Sequence, residues 1–315
     1  MSGYFIKFFR DNLANASLFF SVITKIKSHA EVYVVIGPTA SGKSSYGIKL
    51  AQSKNGEIIS CDSRQIYKGL EIFSGATISV EQKKVRHHLV SFLNPPTPLT
   101  AQGFVDLAVK HISEIQSRDK TPIVVGGTGY WAQALLYESD FPTVKPNDVF
   151  RETLHGETTE ALFAKLEKAD PVRAEKMDPQ NRKRIVRALE IIDVLGHVPA
   201  QARIPREGLT FRLIYIRPDN KTLKIRIEKN VRKRLEQGLL EEARNMKKQI
   251  TREQALEIGL GYKHIFDVLD GTISEEEFIQ AMIREEYHYA KRQKTFCNKL
   301  FKNFYGSKKI IDTQK

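Results

Sequence analysis

Eight consecutive residues, Gly37-Pro38-Thr39-Ala40-Ser41-Gly42-Lys43-Ser44, carry the strongest chemical signal in the chain. They fit the pattern G-x-x-x-x-G-K-[ST] and lie between the apolar, β-branched run Val32-Tyr33-Val34-Val35-Ile36 and a helical pattern. That is the setting a phosphate-binding loop requires. Gly37 and Gly42 let the backbone curl, so that successive amide N–H groups and a helix N-terminus converge on one phosphate. Lys43 is suited to place a point charge there, and the Ser44 hydroxyl suits a Mg²⁺ ligand. Such a loop specifies a di- or triphosphate without specifying a reaction.

A carboxylate, Asp62, ends the next apolar segment, Glu57-Ile58-Ile59-Ser60-Cys61-Asp62. On a parallel sheet this puts it at the carboxyl edge, beside the phosphate loop, where ligands bind in such folds. It could accept a proton from an attacking nucleophile, as in small-molecule kinases, bind a substrate hydroxyl, or cap the segment that follows. A third apolar run, Pro122-Ile123-Val124-Val125, ends in Gly126-Gly127-Thr128. Ordinary P-loop NTPases end that strand in an aspartate holding the Mg²⁺ water shell, so a motor or switch NTPase is disfavoured.

The elements that must position these groups alternate strand, helix, strand, helix. Residues 101–117 place Phe104, Leu107, Ala108, Ile112 and Ile115 at helical core spacing. The alternation predicts an α/β fold with a P-loop parallel sheet flanked by helices. The run Phe211–Ile216 should rejoin that sheet, which leaves a helical insert before it, and the pattern is helical from Asn220 to about Tyr305. The expected organisation is an N-terminal extension at 1–30, the first part of the core at 31–140, the insert at 141–200, and core completion with a helical C-terminal region at 201–315.

The 315-residue chain is 41% apolar, which excludes disorder. Its only cysteines, Cys61 and Cys297, allow neither a zinc cluster nor a disulfide framework and suggest a reducing cytoplasm. No run approaches the ~18–20 apolar residues of a bilayer span. The net charge of +13 is uneven: residues 1–170 carry +2 and residues 171–315 carry +11. A localised excess suits RNA, DNA or an anionic membrane, or else marks solvated helix faces. Residues 1–30 hold Lys7, Arg10, Lys25 and Lys27 against Asp11, and read as an extension helix rather than a targeting segment.

Further segments agree with one another in order. They are Ile59-Ser60-Cys61-Asp62-Ser63-Arg64-Gln65-Ile66-Tyr67-Lys68-Gly69, His87-His88-Leu89, and Gly126-Gly127-Thr128-Gly129-Tyr130. Downstream come Asp178-Pro179-Gln180-Asn181 with Arg184-Ile185-Val186-Arg187-Ala188-Leu189-Glu190, then Ile258-Gly259-Leu260-Gly261-Tyr262-Lys263 and Ala290-Lys291-Arg292-Gln293-Lys294-Thr295-Phe296. The set spans about Val32 to Phe304 and resembles the tRNA dimethylallyltransferases, also called tRNA isopentenyltransferases.

The resemblance implies transfer of a dimethylallyl group from dimethylallyl diphosphate to N6 of the adenosine 3′ of the tRNA anticodon, with Mg²⁺, by a cytoplasmic monomer without a membrane partner. An exocyclic adenine amine is a poor nucleophile, and Asp62 is the candidate general base, a role worth ~10²–10⁴-fold. Gly37, Thr39, Ala40, Ser41, Gly42, Lys43 and Ser44 would hold the diphosphate together with Arg226, and Ser44 the metal. Thr128 would meet the bridging or leaving oxygen or the target nucleotide, and it could also cap the helix at Tyr130–Leu136. Asp62, Ser63, Arg64 and Gln65 would bind the anticodon loop, whose adenosine must flip out. Arg151, Lys183, Arg184, Ile185, Val186 and Arg187 in the insert, and Gly261, Tyr262, Lys263, Lys291, Arg292 and Gln293 near the C-terminus, would take the rest of the anticodon stem-loop, the cations by phosphate contact.

The sequence departs from the family pattern at Ala76, where a lysine is expected, at Phe296, where tryptophan is usual, and at Arg86 in place of proline; the insert is also short. Two other activities fit parts of the pattern. A small-molecule or nucleotide kinase would use Asp62 toward a hydroxyl and leave the C-terminal charge unexplained. An adenylate isopentenyltransferase would modify free AMP, ADP or ATP, against which the Gly-Tyr-Lys and Lys-Arg-Gln segments favour tRNA.

Overall fold

The computed structural model describes residues 31–76, 82–138, 144, 146–199, 204–259 and 261–306. The expected extension helix at 1–30 lies outside the described residues. The chain divides into two compact units, Met1–Leu136 with Arg206–Lys315, and Tyr137–Pro205.

The first unit opens with β1 (Glu31–Ile36), α1 (Lys43–Ser53) and β2 (Gly56–Ser60). Then come α2 (Glu71–Ser74), β3 (His87–His88), α3 (Ala101–Gln116), β4 (Thr121–Gly126) and α4 (Gly129–Leu136). The second unit holds β5 (Tyr137–Glu138), α5 (Asp148–Thr153), α6 (Thr159–Ala169), α7 (Pro171–Ala174), α8 (Arg182–Leu195) and β6 (Ile204–Pro205). Its core is Leu154, Leu162, Leu166, Ile185, Ala188 and Leu189, and β5 pairs antiparallel with β6. The first unit resumes with β7 (Thr210–Tyr215) and α9 (Asn220–Glu236). It continues through α10 (Leu239–Lys247), α11 (Arg252–Ile258), α12 (Tyr262–Leu269) and the long α13 (Glu275–Tyr305).

The main sheet runs β3-β2-β4-β1-β7, all parallel. Helices cover both faces, so β1 is buried along nearly its whole length and reads as a continuous apolar run rather than an alternating one. The late apolar run does rejoin the sheet, beside β1. The edge strand β3 was not anticipated, because two histidines paired to Ile58 and Ile59 carry no strand pattern of their own. Register aligns Ile36 with Gly126 and Tyr215, and Ser60 with Val125. The carboxyl ends of β1, β2 and β4 are therefore level, and the chemistry-bearing loops leave them side by side.

Near the opposite end of β2, Glu57 is almost fully buried with His88 Nε2 at 2.7 Å, Arg118 Nη2 at 2.7 Å and Lys120 Nζ at 3.0 Å. Burial would raise this carboxyl, but the bonds from His88, Lys120 and Arg118 outweigh it and hold it at about 2. Its stabilising effect is therefore present above the ordinary value of 4.5 and lost as pH falls toward 2. Glu57→Gln should lower the unfolding free energy near neutral pH by on the order of 3 kcal/mol. Denaturant titrations across pH should show the acid limb flattened in the variant.

Candidate active site

The phosphate loop is shaped where side chains have no room. A Cβ on Gly37 would lie 2.8 Å from both Ile216 O and Ser41 Oγ, and Gly42 turns into α1 at φ +92°, a conformation that favours glycine. Ser41 N donates to Pro38 O at 3.2 Å. Lys43 is buried, and its ammonium donates to Pro38 O at 3.2 Å across the loop. Burial pulls the Lys43 pKa below the ordinary lysine value, and the charge of Asp62 works against that pull. A second cation reaches the loop from α9, where Arg226 Nη1 donates to Ser41 O at 3.1 Å. Ser44 is exposed and lines a cavity of ≈ 30 Å³ with Ser60, Gln65, Ala76 and His87. Ala76 thus faces the space beside Ser44 where the family pattern has a lysine.

The loops after β2 and β4 are fastened to each other. Cys61 N donates to Val125 O at 2.9 Å and Thr128 N to Cys61 O at 3.1 Å. Gly126 has to be glycine, since a Cβ there would sit 1.9 Å from Cys61 O. Thr128 Oγ1 accepts the Ser63 N–H at 2.9 Å and donates to Ser63 Oγ at 3.3 Å. The Thr128 hydroxyl therefore latches the Asp62 loop to the glycine loop, while the Trp131 and Ala132 amides of α4 donate to the Thr128 carbonyl. The helix-cap alternative for this hydroxyl is not what the structure has. Asp62 is partly exposed, and its Oδ1 accepts the Arg64 N–H at 3.1 Å. Gln65 turns inward: it accepts from Ser60 Oγ at 3.3 Å and donates to Gly75 O at 3.5 Å. The Arg64 guanidinium lies 3.9 Å from the Tyr289 ring centroid, and Arg292 approaches the same ring at 5.8 Å. Lys291, exposed, sits 5.5 Å from the Tyr287 ring.

Several residues grouped with tRNA contacts have other positions. Gln293 is buried, accepts the Thr39 N–H at 2.8 Å and donates to Gly127 O at 2.9 Å. The Thr39 amide, expected at the diphosphate, is thereby engaged. Phe296 packs on Gly129, where a Cβ would be 2.4 Å from its ring, so the ring expected at this position is kept. Tyr262 is fully buried, with its ring centroid 4.0 Å from that of Phe73. It is a core residue, and Gly261 at φ +87° is kept small by Met282 and Phe73. The Lys263 side chain lies outside the described residues. The Tyr262 hydroxyl has no hydrogen-bond partner among the described residues. A buried unsatisfied hydroxyl costs about 1–3 kcal/mol, so Tyr262→Phe should unfold at an equal or higher denaturant midpoint than the wild type.

In the second unit, Lys183 and Arg184 are exposed at the start of α8, whereas Ile185 is fully buried and Val186 packs partly into the core. Ile185 and Val186 therefore hold the helix rather than face a ligand. Arg151 donates to Glu190 Oε1 at 2.8 Å and Oε2 at 3.2 Å. Arg187 donates to Glu190 Oε2 at 2.9 Å and to Val144 O at 2.7 Å. The Glu190 side chain is fully buried, so one carboxylate fixes two half-exposed arginines. Sequence reasoning gave Glu190 no role. Its signal was an acid among the apolar positions of α8.

Among the described residues no group of three His, Cys, Asp or Glu side chains could hold a metal alone. Mg²⁺ asks less, because it keeps most of its waters and shares phosphate oxygens with one or two protein oxygens. The exposed Ser44 hydroxyl, with the Ser60 hydroxyl lining the same cavity, is an all-oxygen set that fits it.

A glycine-framed loop at the carboxyl edge of a parallel sheet, with a carboxylate and two cations at the same edge, defines an α/β protein with its candidate site where ligands bind in such folds. The sequence model of the IPP transferase family matches residues 65–300. The tRNA dimethylallyltransferase of Anoxybacillus flavithermus is 35% identical over 270 residues, covering 84% of this chain and 86% of that one. The Bacillus subtilis enzyme of the same name is 34% identical over 291 residues, covering 90% and 93%. Among solved structures, the full-length tRNA isopentenylpyrophosphate transferase of Bacillus halodurans matches with TM-score 0.62 and 32% identity over 86% of this chain and 87% of that one. A eukaryotic dimethylallyltransferase acting on tRNA matches with TM-score 0.73 and 28% identity over 84% and 69%. The chain belongs to the IPP transferase family.

Proposed function

We propose that this protein is a tRNA dimethylallyltransferase that alkylates N6 of the adenosine 3′ of the anticodon with dimethylallyl diphosphate. The observation that carries the reading is the Thr128 latch, which fastens the Asp62 loop to the glycine loop after β4 at the same sheet edge as the loop that Lys43 and Arg226 brace. Asp62 accepts the amine proton as the C–N bond forms. The allylic C–O bond breaks with its electron pair going to diphosphate, whose growing charge the loop amides, Lys43 and Arg226 stabilise. Mg²⁺ bound at Ser44 would supply further charge neutralisation on the leaving group. The adenosine leaves the anticodon-loop stack to reach Asp62, which selects loop over duplex RNA.

Cations on each unit supply phosphate contacts: Lys183, Arg184, Arg151 and Arg187 on one, Lys291 and Arg292 on the other. A cytoplasmic location accords with tRNA as substrate; among the described residues no helix is long and apolar enough to cross a membrane.

Diphosphate release that depends on unmodified tRNA and proceeds without ATP is the expected result; ADP formation from ATP would point to a kinase instead. Neutralising Lys291 and Arg292 together should weaken tRNA binding and reduce its salt dependence by ~0.7–0.9 log unit per lost phosphate contact. Filter binding at several salt concentrations measures this, and an unchanged slope would return both residues to the solvated surface.

A further inference from the structure

The carboxamide of Gln293 is the one polar group of α13 that is both buried and bonded to two substrate loops. Its oxygen accepts the Thr39 N–H of the phosphate loop at 2.8 Å, and its nitrogen donates to Gly127 O at 2.9 Å. Gly127 is next to Thr128, whose hydroxyl holds the Asp62 loop. A Cβ on Gly127 would lie 2.4 Å from Gln293 Nε2 and 3.5 Å from Asp62 Oδ2, so the glycine is what admits the clasp. Three residues further along the helix, Phe296 seats on Gly129. The same face of α13 thus grips both loops, and the neighbouring Lys291 and Arg292 remain exposed.

We propose that Gln293 is a positioning residue that sets the separation between the diphosphate loop and the Asp62–Thr128 pair, rather than a tRNA contact. This rests on the reaction proposed above. The chemistry requires the allylic carbon, held by its diphosphate, to lie in line between the leaving oxygen and the amine served by Asp62. An error of about 1 Å in that spacing costs about 10²-fold in rate. A carboxamide suits the position because it accepts from one loop and donates to the other. A carboxylate would keep the Thr39 bond, face the Gly127 carbonyl with a second acceptor, and add negative charge near a diphosphate.

The test compares full-length wild type, Gln293→Met and Gln293→Glu. Three readouts are taken: kcat at saturating tRNA and dimethylallyl diphosphate, the dissociation constant of inorganic diphosphate without tRNA, and the dissociation constant of tRNA. Gln293→Met keeps the volume and loses both bonds; its kcat should fall about 10–100-fold with tRNA affinity within about two-fold of wild type. Gln293→Glu should be slower still and bind diphosphate more weakly than the methionine variant. A kcat near wild type with weakened tRNA binding would overturn the proposal in favour of direct RNA contact. Equal kcat and diphosphate affinity in the two variants would also overturn it. Should Gln293→Met not fold, Gln293→Asn, whose shorter arm reaches one loop at a time, is judged by the same readouts. Diphosphate affinity is read without tRNA, so failure of the wild type to alkylate tRNA would count against the reaction and not against the clasp.

Discussion

Asp62→Asn lowers the rate of prenyl transfer by about 10²–10⁴-fold and leaves tRNA affinity within about three-fold, because the substitution removes a proton acceptor and little else. Asparagine is the informative replacement. Asp62 Oδ1 accepts the Arg64 N–H at 3.1 Å, a bond that shapes the loop after β2, and an asparagine oxygen can keep it. Alanine loses both the base and the turn, so a defect in Asp62→Ala mixes chemistry with loop geometry. A loss of transfer shared by both variants, with the tRNA dissociation constant unchanged in Asp62→Asn, assigns the effect to proton transfer. A large loss of tRNA binding in Asp62→Asn would mean that the carboxylate holds RNA instead.

Lys43→Met should reduce transfer by about 10²–10³-fold, the loss expected when one preorganised charge is removed from a developing anion. Arg226 should not replace the lost charge, because it already belongs to the wild-type site, on the flank of the loop where its Nη1 donates to Ser41 O at 3.1 Å. The same lysine predicts a pH dependence. Burial depresses its pKa below the ordinary 10.5, and only the ammonium form serves the leaving group. In free enzyme, the active fraction therefore declines as pH rises through a value lower than that of an exposed lysine. The profile of kcat/KM should carry an alkaline limb below 10.5 in the wild type. That limb should be absent from the residual activity of Lys43→Met.

Much of this site was legible without coordinates, for a local reason. The phosphate loop, Asp62 and Gly126-Gly127-Thr128 each sit at the end of an apolar run, and a parallel sheet puts all such ends on one edge. Gln293 and Thr39 are 254 residues apart, and no periodicity in α13 separates a glutamine that clasps two loops from one that faces water. Tyr262 sits between a glycine and a lysine in a segment grouped with tRNA contacts, yet the ring of Phe73, far away in sequence, packs on it in the core. Thr128 stands out in the sequence at the end of such a run, and its hydroxyl lies between two loops at that edge. Its partner, the Ser63 amide, follows only from the crossing of two loops. The Glu57 cluster was missed for a similar reason: its partners, His88, Arg118 and Lys120, come from the edge strand and from the segment between α3 and β4.

The central claim is that one edge of the sheet joins an allylic diphosphate to an adenine amine in RNA. The most direct measurement supplies labelled dimethylallyl diphosphate with unmodified tRNA and free AMP in the same reaction, then digests the tRNA to nucleosides. The account predicts label in tRNA, confined to N6-dimethylallyladenosine from the position 3′ of the anticodon, with AMP unlabelled. Label in AMP and none in tRNA would contradict it.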